Sequence, residues 1–438
     1  MRSYLIAGAA GLALSAPLSA QAAVSEQEVA ELKQQVQMLL QRVQQLEAQN
    51  ADLTGAGATP SVDATRVEQL EARVAEVEAT NDSQTDQIAQ GVAKDKSMDW
   101  ASKLKWKGDF RYRHEMIDEE TRDTRTRQRI RARLGVEAKV ADNLKAVIQI
   151  ATGDLTDPRS TNTTLGGGNL RKTIGLDLGY VDWTVADGMV VSLGKMKYPF
   201  ERFGGSLFYD GDVNPEGGAI RYRHGSGLFA SGWGFWINEF SSQADPMVYG
   251  AQLGWESGFG LTLAGTYQNF SALQNSTAGL VDFGGNSTYG AAGTDCNGVG
   301  SIPCYLYDYE LVELSAEYAF ELGSLPISLW ADYLHNTAVD DLNEGYNLGF
   351  TLGKASDPGS WEFAALYQDL EKDAAWGGWI DSDFAGGTTQ GKGFLFKGAY
   401  VPVKNTSLNL TWFENTRNYD TSSERDYQRL QLDFSMKF

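Results

Sequence analysis

The sequence predicts an all-β transmembrane barrel of about sixteen antiparallel strands, preceded by an α-helical coiled coil. Three observations carry that prediction. From about Leu104 onward, apolar and polar residues alternate with a period of two in segments of roughly ten residues, the length a tilted membrane strand requires. Tight turns alternate with long loops along the same stretch, as in a barrel whose turns lie on one side of a membrane and whose loops lie on the other. Ahead of the strands runs a 3-4 seam of valines and leucines, too narrow for a helix packed on a globular core.

The elements follow in order. Met1 and Arg2 form a basic start, Leu5 to Leu18 is an apolar run, and Ala20-Gln21-Ala22 has the small-x-small pattern of a signal-peptidase site. Residues 1–22 therefore read as a signal peptide with Ala23 as mature start, since the run falls short of the roughly 20 apolar residues of a spanning helix. In the segment 23–96, Val29, Val36, Val43 and Asn50 occupy one core position of a heptad repeat. Leu32, Leu39, Leu46 and Leu53 occupy the other, and a second seam follows at Val67, Leu70, Val74 and Val77. This reads as a periplasmic oligomerisation segment, with trimers expected once a barrel is attached. Residues 97–438 form the barrel. Leu104, Trp106, Phe110 and Tyr112 alternate with Lys105, Lys107, Asp109, Arg111 and Arg113, and Ile130, Ala132 and Leu134 alternate with Arg129, Arg131 and Arg133. Fourteen further segments carry the alternation to Phe438, and an even number of strands leaves both ends of the barrel on the periplasmic side. Near Gly179 to Trp183 the apolar parity switches, which points to a β-bulge.

Composition narrows the function classes. The 48 Gly, 19 Tyr, 19 Phe and 11 Trp suit strands, turns and membrane interfaces. The mean hydropathy of −0.34 does not oppose a barrel, because only alternate residues face lipid. The formal charge of −20 argues against nucleic acid as a partner. His114, His224 and His335 lie far apart without metal-ligand spacing, so no metal or cofactor is expected. The same three histidines have no serine or aspartate that parity and spacing single out, so no enzyme is expected either. Cys296 and Cys304 stand close together in a polar, Gly-rich stretch and are expected to form one local disulfide. Asp210-Gly-Asp212-Val-Asn214-Pro-Glu216 resembles the first half of a calcium loop, but Pro215 and Arg221 stand where the required Gly and closing Glu should be.

Leu430, Leu432, Phe434, Met436 and Phe438 fall on one face, which resembles the terminal signal by which Gram-negative barrels are recognised for insertion. With Gly179-Tyr-Val-Asp-Trp183, Leu193-Gly-Lys-Met-Lys-Tyr-Pro-Phe200 and the coiled coil, the chain resembles the Gram-negative porins of the "Putative porin" group and the related phosphate-selective porin O and P type. The resemblance implies a trimer of sixteen-stranded barrels in the outer membrane, the coiled coil in the periplasm, and the third long loop, Tyr198–Glu216, folded inward to narrow the pore. Phosphate-selective relatives carry several basic residues at the constriction, whereas this loop holds Glu201, Asp210, Asp212 and Glu216 beside Arg202.

The expected function is a water-filled channel for passive diffusion of small hydrophilic solutes and ions, in contact with outer-membrane lipid and lipopolysaccharide. An anion- or phosphate-selective porin and a coiled-coil tether are the alternatives. A pore needs no catalytic group; its selectivity comes from aperture and lining charge. Polar parity places Lys105, Lys107, Arg111, Arg113, Arg127, Arg129, Arg131 and Arg133 on one face of the first two strands, and a cation on the lipid side at mid-membrane costs roughly 2–4 kcal/mol. With Lys195, Lys197, Glu201, Arg202, Asp210 and Asp212, these are the candidate pore-lining residues. They read equally as a selectivity device and as solvated lumen positions that keep strands in register.

Overall fold

The computed structural model describes residues 99–241, 244–277, 283–289 and 303–438. The expected signal peptide, the coiled coil and Cys296 lie outside them. After a helical turn, Asp99–Ser102, sixteen antiparallel strands follow: β1 Leu104–Glu119, β2 Arg125–Ala141, β3 Leu144–Thr152, β4 Ile174–Ala186, β5 Met189–Lys195, β6 Glu216–Arg223, β7 Leu228–Trp236 and β8 Met247–Glu256. The second half comprises β9 Leu261–Ser271, β10 Tyr309–Leu322, β11 Leu325–Asn336, β12 Glu344–Gly353, β13 Trp361–Leu370, β14 Gly391–Tyr400, β15 Thr406–Arg417 and β16 Arg425–Lys437. Each strand pairs with its sequence neighbour, and β1 also pairs with β16 from Asp109↔Lys437 to Glu119↔Tyr427, so the sheet closes on itself. Closure leaves no unpaired edge, the only way a sheet can satisfy its backbone groups inside a membrane. Among the described residues no helix is long and apolar enough to cross a membrane.

Alternation along the strands sets the two faces. Leu134, Ile148, Leu253, Leu314, Leu348 and Phe394 are exposed on the outside, while Arg113, Glu115, Asp332, Asn347 and Gln368 are buried on the inside. At the closing seam Gly108 lies under the ring of Phe438; a Cβ there would overlap that ring. The register shifts at three places: beside Val140 between β2 and β3, beside Val185 between β4 and β5, and within the β3–β4 pair. Gln149 pairs with Leu178 and Ile150 with Leu176, so Asp177 is the extra residue of a bulge, just ahead of the stretch in which the sequence signals one. The bulge turns Asp177 inward, where it accepts hydrogen bonds from Gln149 Nε2 and Asn214 Nδ2, both at 2.6 Å.

Turns and loops alternate as the spacing requires. One rim carries short turns, such as residues 142–143, 187–188 and 323–324; the other carries the long connections. Loops 3 and 7 fold into the lumen. Loop 3 (residues 196–215) buries Met196, Phe200, Phe203, Leu207, Phe208, Tyr209 and Val213; loop 7 (residues 371–390) buries Trp376, Trp379, Ile380, Phe384 and Ala385. The inward course of loop 7 has no counterpart in the sequence reading, where that stretch is simply a long outer loop. Cys304 is fully buried and disulfide-bonded.

Candidate pore constriction

Loop 3 spans the lumen because its chemistry changes along its length. Its aromatic stem packs on the wall: Phe200 meets Trp233 of β7 at 4.8 Å between ring centroids, and Tyr198 meets Trp379 of loop 7 at 5.4 Å. Its middle reaches the far wall, where Gly204 N donates to Glu317 of β10 at 3.0 Å and Tyr209 OH donates to Glu313 at 2.8 Å. Gly204 has φ of +51° and lies against the Trp330 indole, so close that a Cβ would overlap the ring. Glycine is required there both for its backbone angle and for its lack of a side chain. The distal part of the loop turns back to the basic wall, where Asp212 stands 3.5 Å from Arg133 and 3.9 Å from Arg131.

That basic wall is built by register. Across the β1–β2 pair, Asp109 faces Arg133, Arg111 faces Arg131, Arg113 faces Arg129 and Glu115 faces Arg127, all on the lumen side. Four like-charged guanidiniums on facing positions would repel; carboxylates set between them offset this. Asp109 accepts from Arg131 at 2.9 Å and from Arg133 at 2.7 Å. Asp433 of β16 takes a two-point bond from Arg113, at 2.7 and 2.8 Å. Glu115, fully buried, bonds Arg127 and also Arg429 of β16, the latter at 2.5 Å. Arg111 donates to Asn162 of loop 2 (residues 153–173) at 2.6 Å, and Arg129 donates to Ser160 and to the Asn162 carbonyl. Loop 7 supplies a further carboxylate, Asp383, at 3.1 Å from Arg113 and 2.6 Å from Arg429.

The loop carboxylates divide into two kinds. Burial alone would raise Asp212 and Asp383, but Arg131 and the Thr161 amide hold Asp212 below the ordinary range, and Arg429 and Arg113 do the same for Asp383. Asp210 forms no ion pair and faces Asp381 of loop 7; burial first, then the charge of Asp381, pushes its carboxyl well above the ordinary range.

The remaining candidates are dispersed. Lys107 pairs with Glu137 at 3.0 Å in an exposed position near the turns, and Lys105 is exposed beside it. Lys195 bonds Glu216 at 2.8 Å and the Asn214 carbonyl at 3.0 Å where loop 3 leaves the wall, and Lys197 donates to the Gly211 carbonyl. Glu201 pairs with Arg223 at 2.7 Å, on a different part of the wall from the arginine ladder, and Arg202 donates to the Tyr209 carbonyl while lying over the Tyr198 ring. Of the loop acids singled out in the sequence, Asp212 alone meets the ladder; the aromatic stem fixes where the others point. Arg429, Asp433 and Asp383 are not among the residues expected from the sequence. The first two lie on the inward parity of β16 and could have been found by it; Asp383 depends on the inward fold of loop 7, for which no local signal exists.

Open space remains on both sides of loop 3. A cavity of ≈ 420 Å³ runs beside β14–β16 and is lined by Arg111, Arg131, Asp212, Asp383, Lys397 and Asn409. A second, of ≈ 610 Å³, opens among the turns, with Lys145, Asp182, Glu201, Arg221 and Arg223 in its walls. The arrangement can pass hydrated solutes between guanidiniums and carboxylates; among the described residues no group of three or more metal-ligating side chains is assembled.

A family model described as "Putative porin" matches residues 116–283 and 304–438, more than half of the chain. No curated protein sequence matches significantly. Among solved structures, OprB of Pseudomonas putida, solved at high pH, superimposes with a TM-score of 0.53 at 12% identity, covering 77% of this chain and 95% of that one. OmpF of Salmonella typhi in complex with daunomycin gives 0.48 at 14% identity, covering 76% and 97%. At these identities the likeness concerns the fold alone.

Proposed function

Because the chain belongs to the "Putative porin" family, a channel rather than an enzyme, we propose that it conducts small hydrophilic solutes and ions passively through the charged gap between loop 3 and the β14–β1 side of an outer-membrane barrel. The observation that carries this reading is a closed sixteen-stranded sheet whose lumen holds charge on its wall and an inward loop across it. Selectivity is weak, because the seven arginines at positions 111, 113, 127, 129, 131, 133 and 429 are answered by Asp109, Glu115, Asp212, Asp383 and Asp433. The balance leans towards anions without amounting to a phosphate site. Reversal potential of the purified protein in a planar bilayer under a KCl gradient tests the reading. Conductance with a small anion preference is expected; no conductance at all would sink it.

The barrel works as a homotrimer exported by its signal peptide, with the heptad segment in the periplasm. The outer surface supports self-association. From β2 to β5 the exposed outward residues are largely aliphatic, including Leu134, Ile148, Ile174, Leu176 and Leu193, and Leu155 and Leu170 of loop 2 continue that surface. Elsewhere the outside carries Tyr249, Tyr267, Tyr333, Tyr346 and Tyr400, the amphipathic rings that suit a lipid headgroup boundary. A face with few such rings suits another protein better than lipid. Deleting residues 24–88 is expected to loosen the trimer, read as dissociation at lower temperature on native gels, while leaving the protein in the envelope.

A further inference from the structure

Loops 3 and 7 rise from opposite parts of the ring, at β5–β6 and β13–β14, and meet inside it along a short backbone seam. Asp210 N donates to the Trp379 carbonyl at 2.6 Å, and Asp381 N donates to the Leu207 carbonyl at 3.0 Å. Ser382 N donates to Asp210 Oδ2 at 2.9 Å, while Asp381 Oδ1 caps the Asp383 and Phe384 amides at 2.9 and 2.8 Å. Loop 2 clamps the seam from one side: Arg159 donates to the Gly377 and Gly387 carbonyls, and Ser382 Oγ donates to the Arg159 carbonyl. The junction is therefore specific; loop 7 is held besides by strand residues, among them Arg113 and Arg429 on Asp383 and Asn415 on the Ala385 amide.

Two of its carboxylates form no ion pair. Asp212 and Asp383 are held by arginines, but neither Asp210 nor Asp381 forms an ion pair among the described residues. Around Asp210 stand Asp212 and Tyr198 of its own loop and Asp381 of loop 7; around Asp381 stand Asp383 of its own loop and Lys397 of β14. The guanidinium of Arg159 turns instead to Asp157, and that of Arg202 to the Tyr209 carbonyl. The pair thus joins two loops through two buried acids whose charges repel.

We propose that Asp210 and Asp381 form a proton-dependent latch between the loops: holding a proton, the pair keeps loop 7 on loop 3 and the pore narrow, and with both ionised the seam parts and the pore widens. Burial raises both carboxyls above their ordinary value. A carboxyl that is raised only while the loops are docked favours docking fully below its ordinary value, about 3.9 for Asp, and loses that contribution as pH rises through the raised one. The docked state is the acid state.

The latch rests on the pore reading, and single-channel conductance of the full chain from about pH 4 to about pH 9 at constant salt separates the two. Wild type should step from a low to a high conductance as pH rises, and Asp210→Asn with Asp381→Asn should lose the step and stay low. Should the double variant fail to fold, Asp381→Asn alone removes one of the repelling charges and should also lose the step. Conductance without a step in wild type, or a step retained in the variants, overturns the latch alone. A step that EDTA abolishes overturns the shared proton in favour of a bridging divalent cation. Silence at every pH overturns the pore and the latch together.

Discussion

Arg131 and Arg133 each touch two carboxylates, Asp109 within the wall and Asp212 on loop 3. Replacing both by Ser leaves those acids without a guanidinium and makes that rung of the wall net negative. With five of the seven lumen arginines left against five acids, the double variant is expected to lose the anion preference, read as a reversal potential near zero. Gly204 is a second residue on which the constriction depends. A Cβ at φ of +51° costs about 1–2 kcal/mol before any overlap is counted, and here it also meets the Trp330 ring. Gly204→Ala should lift the middle of loop 3 from the β10–β11 wall, raising conductance and lowering the temperature at which the barrel unfolds on gels. At this scale the sequence is legible wherever parity decides. The inward positions of Arg111, Arg113, Arg129 and Arg131 follow from alternation alone, because a two-residue period fixes the face of every neighbour. It is illegible where a loop decides: Glu201 and Asp212 look alike in the chain, and only the course of the aromatic stem sends one to Arg223 and the other to Arg133.

The strands and their connections are similarly divided. All sixteen strands lie at or within a few residues of the segments the alternation marks, since each must bury one face in lipid and pair with both neighbours. The bulge at Asp177 also left a trace, because an extra residue flips the parity after it. Loop 7 left none. Its Trp376, Trp379, Ile380 and Phe384 could equally have formed an exposed, aromatic outer loop; they turn inward because the stem of loop 3 offers Tyr198, and β9 offers Phe270, to pack against. Trp379→Ala should therefore release loop 7 much more than it disturbs the barrel. Loss of a buried Trp costs about 3–5 kcal/mol, spent here at a junction between loops. The expected result is a larger and noisier single-channel current with unchanged resistance of the barrel to heat.

For the whole molecule, the distribution of side chains around the outside carries the most information. The Leu- and Ile-rich face from β2 to β5 continues above the strands through Leu155 and Leu170, which are 69% and 74% exposed. In the proposed homotrimer a second copy would cover them. Leu155→Asp with Leu170→Asp should shift the oligomer towards monomers in detergent, seen by light scattering, without altering the current through a single barrel. That face is readable in the sequence only after the strands are in place, since it is composed of residues from four separate segments.

The pairing of β1 with β16 makes the barrel's last bond one between the earliest and the latest strands of the sheet. Without β16 the sheet would keep two bare strand edges, on β1 and on β15, each with half its hydrogen bonds unmade. Loops 3 and 7 cannot be packed against a ring that does not yet exist, so the constriction is assembled only around a finished wall. A sheet lacking β16 is therefore expected to be open and adhesive at its edges rather than a leaky pore. Ring closure is in that sense the condition on which the narrow channel inside depends.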